Sequence, residues 1–414
     1  MRYRFLLLLL VSLGIEAQAQ FKIDAEYRPR FEFRDGYGTL KTVGSDPAYF
    51  VTQRTRLNFN HSTDKLTTRI SIQDYRIWGE SKLKGDEPGI NLYEAWFKYQ
   101  ITDFWSLTAG RQSFNIDNKR LFSAANWNQV SASHDGATID FSNKTVVFKM
   151  LTAFNQSKVS NFGTDLYSQI NNYKFLNVIW LEKKIGSISI ANLTITDAYQ
   201  KEGTTATDYY RYTSGLVFKY KKSANDIQLR GFYQGGKNKL GQEVSAFYSS
   251  GSFSRKFDSK IIITGGFEYM SGDDRTNGLN QKDHAFDILY GTKHAYNGIM
   301  DYFSTPSTTK HAGLVDLYLK ADYNKIKNLA FSLRYHHFSL ANHYEYETVS
   351  QNKFLANEID LIANYKVDAN INLQLGYATL FGSQTLNYIK SREAEGIQHF
   401  FYTMITVKPT FFKN

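Results

Sequence analysis

The sequence predicts an all-β fold, a transmembrane antiparallel up-and-down β-barrel, and three observations carry that prediction. The stretch Phe21–Arg34 divides by parity into Ile23, Ala25, Tyr27, Pro29, Phe31 and Phe33 on one face and Lys22, Asp24, Glu26, Arg28, Arg30, Glu32 and Arg34 on the other. A period of two is the signature of a strand, and an apolar face opposite a fully charged one suits a strand set between lipid and a water-filled lumen. Aromatic residues make up 16% of the chain, with 29 Tyr and 31 Phe, a composition that favours strands. Third, the connections alternate between short turns and long polar loops, the pattern of a barrel with periplasmic turns and extracellular loops.

The same dyad returns along the chain. It predicts eighteen strands near residues 21–33, 50–60, 66–78, 91–100, 105–112, 135–141, 145–153, 173–182, 187–196, 211–220, 225–234, 243–250, 259–269, 312–322, 329–338, 356–366, 371–380 and 397–408. Sixteen is the alternative count, because the segments near 105–112, 135–141 and 243–250 alternate weakly. Pro29 and Pro409 each remove a ladder hydrogen bond, which predicts irregular closure between the first and last strands. Ile70 and Ile72 share one parity while Tyr75 and Ile77 take the other. A β-bulge near Gln73-Asp74 would reconcile them and turn Asp74, Arg76 and Trp78 inward.

The first residues have the charged, apolar, small-residue order of a signal peptide: Arg2 and Arg4, the run Phe5–Leu13, then Ala17-Gln18-Ala19. The expected organisation is a signal peptide over 1–19 and one barrel domain over 20–414, delivered to the bacterial outer membrane. No other run approaches the length of a helical span, which needs about 20 apolar residues. The chain has no cysteine, so disulfides and thiol-based chemistry are excluded. No cofactor is expected. The formal net charge is +10, and in an exported barrel it points to lumen, rim and lipopolysaccharide contacts rather than to nucleic acid.

The chemistry is concentrated in arginine. Arg28, Arg30, Arg54, Arg56 and, with the bulge, Arg76 take the inward parity of the first three strands, with Glu26, Glu32, Asp74 and Glu94 as nearby acids. Neighbouring strands lie about 5 Å apart, so these guanidiniums would form one basic wall that favours anions in a narrow pore. The plainer reading is a structural ion-pair ladder filling the lumen. Arg211, Arg230 and Arg334 share the inward parity and could extend the lining, as could Arg120; Arg111 could instead sit at the rim. Trp78, Trp96 and Trp127 could stack on sugar faces or serve as interface-belt and loop-packing aromatics. His284, His294 and His311 share one long loop without metal-site spacing, and no Ser/His/Asp grouping, phosphate loop or metalloprotease motif is present.

The segments Arg54-Thr-Arg56-Leu-Asn-Phe59, Gln73-Asp74-Tyr-Arg76-Ile-Trp78-Gly79, Glu94-Ala-Trp96, Gly110-Arg111-Gln112, Lys119-Arg120-Leu121 and Asn126-Trp127 resemble the alginate-export outer-membrane porins, particularly their shorter Bacteroidetes-type versions. The resemblance covers the N-terminal third. It implies an eighteen-stranded monomeric barrel, inserted by the barrel-assembly machinery, with an electropositive constriction that passes an anionic uronic-acid polysaccharide. It assigns pore-lining roles to Arg54, Arg56, Arg76 and Arg111, with Asp74 and Glu94 as acidic partners. The C terminus departs from outer-membrane barrels that finish on an aromatic, since Phe411-Phe412 is followed by Lys413-Asn414. The expected function is a non-enzymatic, anion-preferring channel in contact with membrane lipid and lipopolysaccharide. The alternatives are a general diffusion porin and a barrel enzyme or adhesin acting through the loop 270–311.

Overall fold

Side chains that alternate between lipid and lumen can only satisfy every backbone group inside a membrane if the sheet closes on itself. The chain does this with eighteen antiparallel strands: β1 (Gln20–Asp35), β2 (Ala48–Ser62), β3 (Leu66–Ile77), β4 (Ile90–Gln100), β5 (Trp105–Gln112), β6 (His134–Ser142), β7 (Val146–Phe154), β8 (Phe175–Ile185), β9 (Ile188–Gln200), β10 (Asp208–Lys222), β11 (Asn225–Lys237), β12 (Glu243–Lys256), β13 (Ile261–Met270), β14 (Leu314–Ile326), β15 (Leu329–Ser339), β16 (Phe354–Lys366), β17 (Ile371–Gly382) and β18 (Gln398–Val407). Each pairs with its sequence neighbour, and β18 returns to β1. The computed structural model describes the chain except residues 1–18, 83–88, 165, 167–172, 202–207, 259, 274–281, 295 and 305. The expected signal peptide therefore lies almost wholly outside the described residues.

The strands predicted from periodicity are the strands observed, including the three with weak alternation. Eighteen, not sixteen, is the count. The closure seam is irregular where the two prolines fall. β1 pairs with β18 from Asp35↔His399 to Arg30↔Met404 and again at Tyr27↔Val407, with a gap around Pro29. Past Pro409 the chain resumes as a short strand, Thr410–Lys413, that pairs with Lys22–Asp24, with a one-residue register shift between Asp24 and Ile23.

The bulge expected near Gln73-Asp74 is absent. β2 and β3 pair without interruption from Thr52↔Ile77 to Ser62↔Thr67. The irregularity lies one strand further on: Ser71 pairs with Glu94 while Ile72 pairs with Leu92, so Tyr93 is the extra residue of β4. Both Tyr93 and Glu94 are consequently buried, as a bulge that sets two successive side chains on one partner allows. Gln73 and Tyr75 then share the inward face with Arg56 and Arg54, while Asp74 and Arg76 face outward. Tyr75 and Ile77 misled the parity reading because they lie at the loop end of the strand, where no lipid constrains them.

Two long connections fold back into the barrel. Ser113–Ser133, between β5 and β6, crosses the lumen as a strap, and the described residues of the connection between β13 and β14 pack against it. Phe114, Ile116, Leu121 and Phe122 of the strap share a core with the inward side chains Leu151, Leu176, Val178, Trp180, Leu193, Ile195 and Val217 of β7–β10. The lumen wall along β7–β10 is thus largely apolar and covered. Beyond β17, helix α1 (Gln384–Lys390) is capped by Ser383, whose side chain accepts from the Leu386 backbone N–H, and stopped by Ser391 in the left-handed region.

Candidate functional site

The inward face of β1 and β2 brings Arg28, Arg30, Arg54 and Arg56 together, and the strap lies against them. Arg28 and Arg54 are directly opposed across the ladder, a repulsive placement for like charges unless acceptors surround them. The strap supplies the acceptors. Arg28 donates to the carbonyls of Asn126 at 2.7 Å and Asn128 at 2.9 Å and to Gln129 Oε1 at 3.1 Å from Nε. Arg30 donates to the Trp127 carbonyl at 2.8 Å and lies over the Trp127 ring at 4.0 Å. Arg54 donates to Ser131 Oγ at 3.1 Å and Asn126 Oδ1 at 3.0 Å. All four arginines are buried.

The acids here are fewer than the guanidiniums. Glu26 pairs with Arg54, and Glu32 pairs with both Arg30 and Arg34 at 2.7 Å. Arg56 instead donates to Gln73 Oε1 at 2.9 Å and lies 3.7 Å from the centre of the Tyr93 ring, with Nη2 lacking a hydrogen-bond partner. Arg28 and Arg56 have no carboxylate within 4.0 Å among the described residues.

The other end of the strap is clamped to the far wall. Asp117 receives Arg230 of β11 at 2.5 Å and Lys219 of β10 at 2.6 Å. Burial works to raise the Asp117 carboxyl, but the hydrogen bonds and charges of Arg230 and Lys219 outweigh it and hold it below the ordinary carboxylate range. Arg120 reaches Glu268 of β13 with two bonds, at 2.8 and 2.5 Å, both ends buried. Asn297 from the second inserted loop donates to Glu268 at 2.7 Å and to Asp316 at 3.3 Å. Next to it the Met300 N–H donates to Glu358 at 2.9 Å.

Several residues singled out from sequence lie elsewhere. Glu94 faces inward and pairs with Arg69 at 2.8 Å; Trp96 shares that row, opposite Arg69 and Gly110. Arg334 lines a cavity of about 460 Å³ beside the far clamp, with Arg230, Glu268, Tyr318 and Lys320. Asp74 and Arg76 pair with each other at 2.7 Å on the outer face, and Arg111 pairs with Asp135 at 2.7 Å there too. These three are not pore-lining. Trp78 also faces outward, bonded to Gln53 at 2.9 Å. Trp127 is a loop-packing aromatic, stacked on His294 at 3.7 Å.

The three histidines of the long loop do not converge. His294 pairs with Asp301 at 3.0 Å, His284 meets the Ser245 carbonyl at 2.7 Å, and His311 lies 4.0 Å from Asp283. Arg69 was missed from sequence although its parity with Ser71 and Gln73 placed it inward. Asp117 and Gln129 had no local signal, since their wall partners are 77 to 113 positions away, and the inward parity of Glu268 did not announce Arg120, 148 positions from it.

A family model described as alginate export matches residues 18–397. The chain belongs to the alginate-export family. The family member's barrel is also similar to solved outer-membrane porins at identities that speak to the fold alone. Pseudomonas aeruginosa OccK9 (OpdG) aligns with a TM-score of 0.64 at 12% identity, over 94% of this chain and 98% of that one. Acinetobacter baumannii OccAB4 aligns at 0.63 and 12%, over 95% and 98%. Pseudomonas aeruginosa OpdK, solved with vanillate, aligns at 0.61 and 11%, over 95% and 99%. No curated protein sequence matches the chain. The alginate-export protein is thus an outer-membrane β-barrel channel, and its fold and family are those of a porin rather than an enzyme.

Proposed function

We propose that this channel prefers anions and that its cargo is an acidic polysaccharide or oligosaccharide. The carrying observation is the surplus of charge on β1 and β2: Arg28 and Arg56 stand at the middle of the wall without a carboxylate within 4.0 Å among the described residues. Protein walls of low dielectric focus such a charge into the adjacent aqueous path, so it acts on permeating ions without touching them. The family description, alginate export, supports a uronate polymer as the cargo class. A passive pore carries no built-in direction.

The test is planar-bilayer conductance of the purified barrel across a salt gradient. The reversal potential is expected to report anion preference, and Arg28→Gln and Arg56→Gln to weaken it while Arg56→Lys retains it. Cation preference in the native channel, or a preference unmoved by both glutamine variants, overturns the proposal.

A second reading has its own support. Arg54 is fully buried and every one of these arginines except Arg56 bonds the strap, so the wall also serves as a clamp. A general diffusion porin needs nothing more. Oligouronate added to the bilayer chamber separates the two, since a cargo-selective channel shows current interruptions that a general porin does not.

A further inference from the structure

The turns that close the barrel on the periplasmic side are unequal in charge. Counting each turn with three strand residues on either side, those joining β2–β3, β4–β5, β6–β7 and β16–β17 each hold one cation and one acid. The four that join β8–β9, β10–β11, β12–β13 and β14–β15 hold nine Lys and Arg against two Asp. They are consecutive, so they form one arc, and most of the chain's net +10 resides on it.

These cations are exposed. Lys221 lies 3.9 Å from Asp226 and Lys325 lies 3.1 Å from Asp258; the other seven have no ion-pair partner among the described residues. The arc also carries apolar tips. Ile185 is 62% exposed, Phe257 63% and Ile326 49%, and each immediately follows a Lys. Lys222 and Arg255 both pair with Asn225 and so share the outward row. Lys183, opposite the exposed Ile190, is outward as well. A polymer threading the lumen would meet the inward face. Cations on the outward face beside exposed apolar tips instead match a lipid surface, where phosphates meet acyl chains.

We propose that this arc docks anionic phospholipid head groups of the periplasmic leaflet, with Lys183, Lys222 and Arg255 on the phosphates and Ile185, Phe257 and Ile326 seated at the acyl boundary. The proposal is independent of what the lumen carries.

The test uses the full barrel in detergent containing equal amounts of phosphatidylglycerol and phosphatidylcholine, with bound lipid read by native mass spectrometry. The wild type is expected to retain phosphatidylglycerol several-fold over phosphatidylcholine. Replacing Lys183, Lys222, Arg255 and Lys327 with Gln should bring the ratio close to one, whereas Lys65→Gln, Lys144→Gln and Lys366→Gln on the balanced arc should leave it unchanged. The wild-type preference should also fade as salt shortens the screening length from about 10 Å towards 3 Å, a readout that needs no variant. No preference in the wild type, a preference insensitive to salt, or equal loss in both variants overturns the proposal. So does retention on a polygalacturonate column through these residues without lipid preference, which would reassign the arc to an anionic polymer.

Discussion

Arg28 and Arg54 occupy facing positions of the β1–β2 ladder, and the strap lies across both. Two like charges at about 5 Å repel, and the pair persists because Glu26 and the carbonyls of Asn126–Gln129 surround it. The two elements support each other: the buried arginines need the strap's oxygens, and the strap's carbonyls need donors.

Arg54→Ala should therefore release the strap. It leaves Glu26 with the exposed Lys408, 3.3 Å away, as its one ion-pair partner among the described residues, and removes bonds to Asn126 and Ser131. Breaking a buried pair from one side costs about 3–5 kcal/mol. The expected outcome is a lower urea midpoint for heat-modifiable migration, together with larger and noisier single-channel currents. An unchanged current would show that the strap is held elsewhere.

The far clamp should behave as a pair. Arg120→Met and Glu268→Gln each strand a buried polar partner, and each should destabilise by several kcal/mol, about the range for one-sided loss of a buried ion pair. Arg120→Met combined with Glu268→Leu and Asn297→Leu should recover part of that loss. A double-mutant cycle on urea unfolding measures the coupling.

Acidification should loosen the Asp117 end of the strap. Its carboxyl is held below the ordinary range in the fold, so the unfolded chain takes up the proton more readily. The associated stability is present above the ordinary carboxylate pKa and is lost as the pH falls through the depressed one. Conductance recorded from neutral to strongly acidic pH should become noisier at the acid end, and Asp117→Asn should show that behaviour already at neutral pH.

Lys390 gives the opposite window. It donates to the Tyr302 carbonyl at 2.6 Å and to Thr308 at 3.1 Å. Burial, with Lys310 nearby, pushes its ammonium down to about 8. The folded chain releases this proton before the unfolded chain does, so the contribution to stability rises with pH between about 8 and the ordinary lysine range. Thermal melting of wild type and Lys390→Gln at neutral and alkaline pH should show the wild-type advantage growing with pH.

Gly298 sits with φ at +75°, and a Cβ there would overlap the Glu358 carboxylate. Gly298→Ala should lift the loop that carries Asn297 and Met300 off the wall. Faster proteolysis within residues 291–301 of the folded barrel is the expected result.

The barrel was legible because a lipid–lumen boundary writes itself into every strand as a two-residue period. Glu268, Arg230 and Arg334 could be assigned an inward face from their neighbours alone. Asp74 and Arg76 turn inward only under the bulge that Tyr75 and Ile77 suggest at a strand end where the constraint lapses, and Arg111 shares the outward parity of Leu107 and Ala109. The strap was illegible for another reason. Arg28 meets Gln129 across 101 positions, and nothing near either residue announces the other. Alternation therefore indicated the arginine wall without revealing that a loop covers it.

The seam around Pro29 and Pro409 bears on how the chain reaches its final form. Ladders from β2 to β18 join sequence neighbours, whereas β1 must find residues 399–413, nearly four hundred positions away. Loop-closure entropy places such a contact late in folding. Two prolines and a register shift interrupt that last ladder, so the barrel is expected to zip shut there, and to open there first.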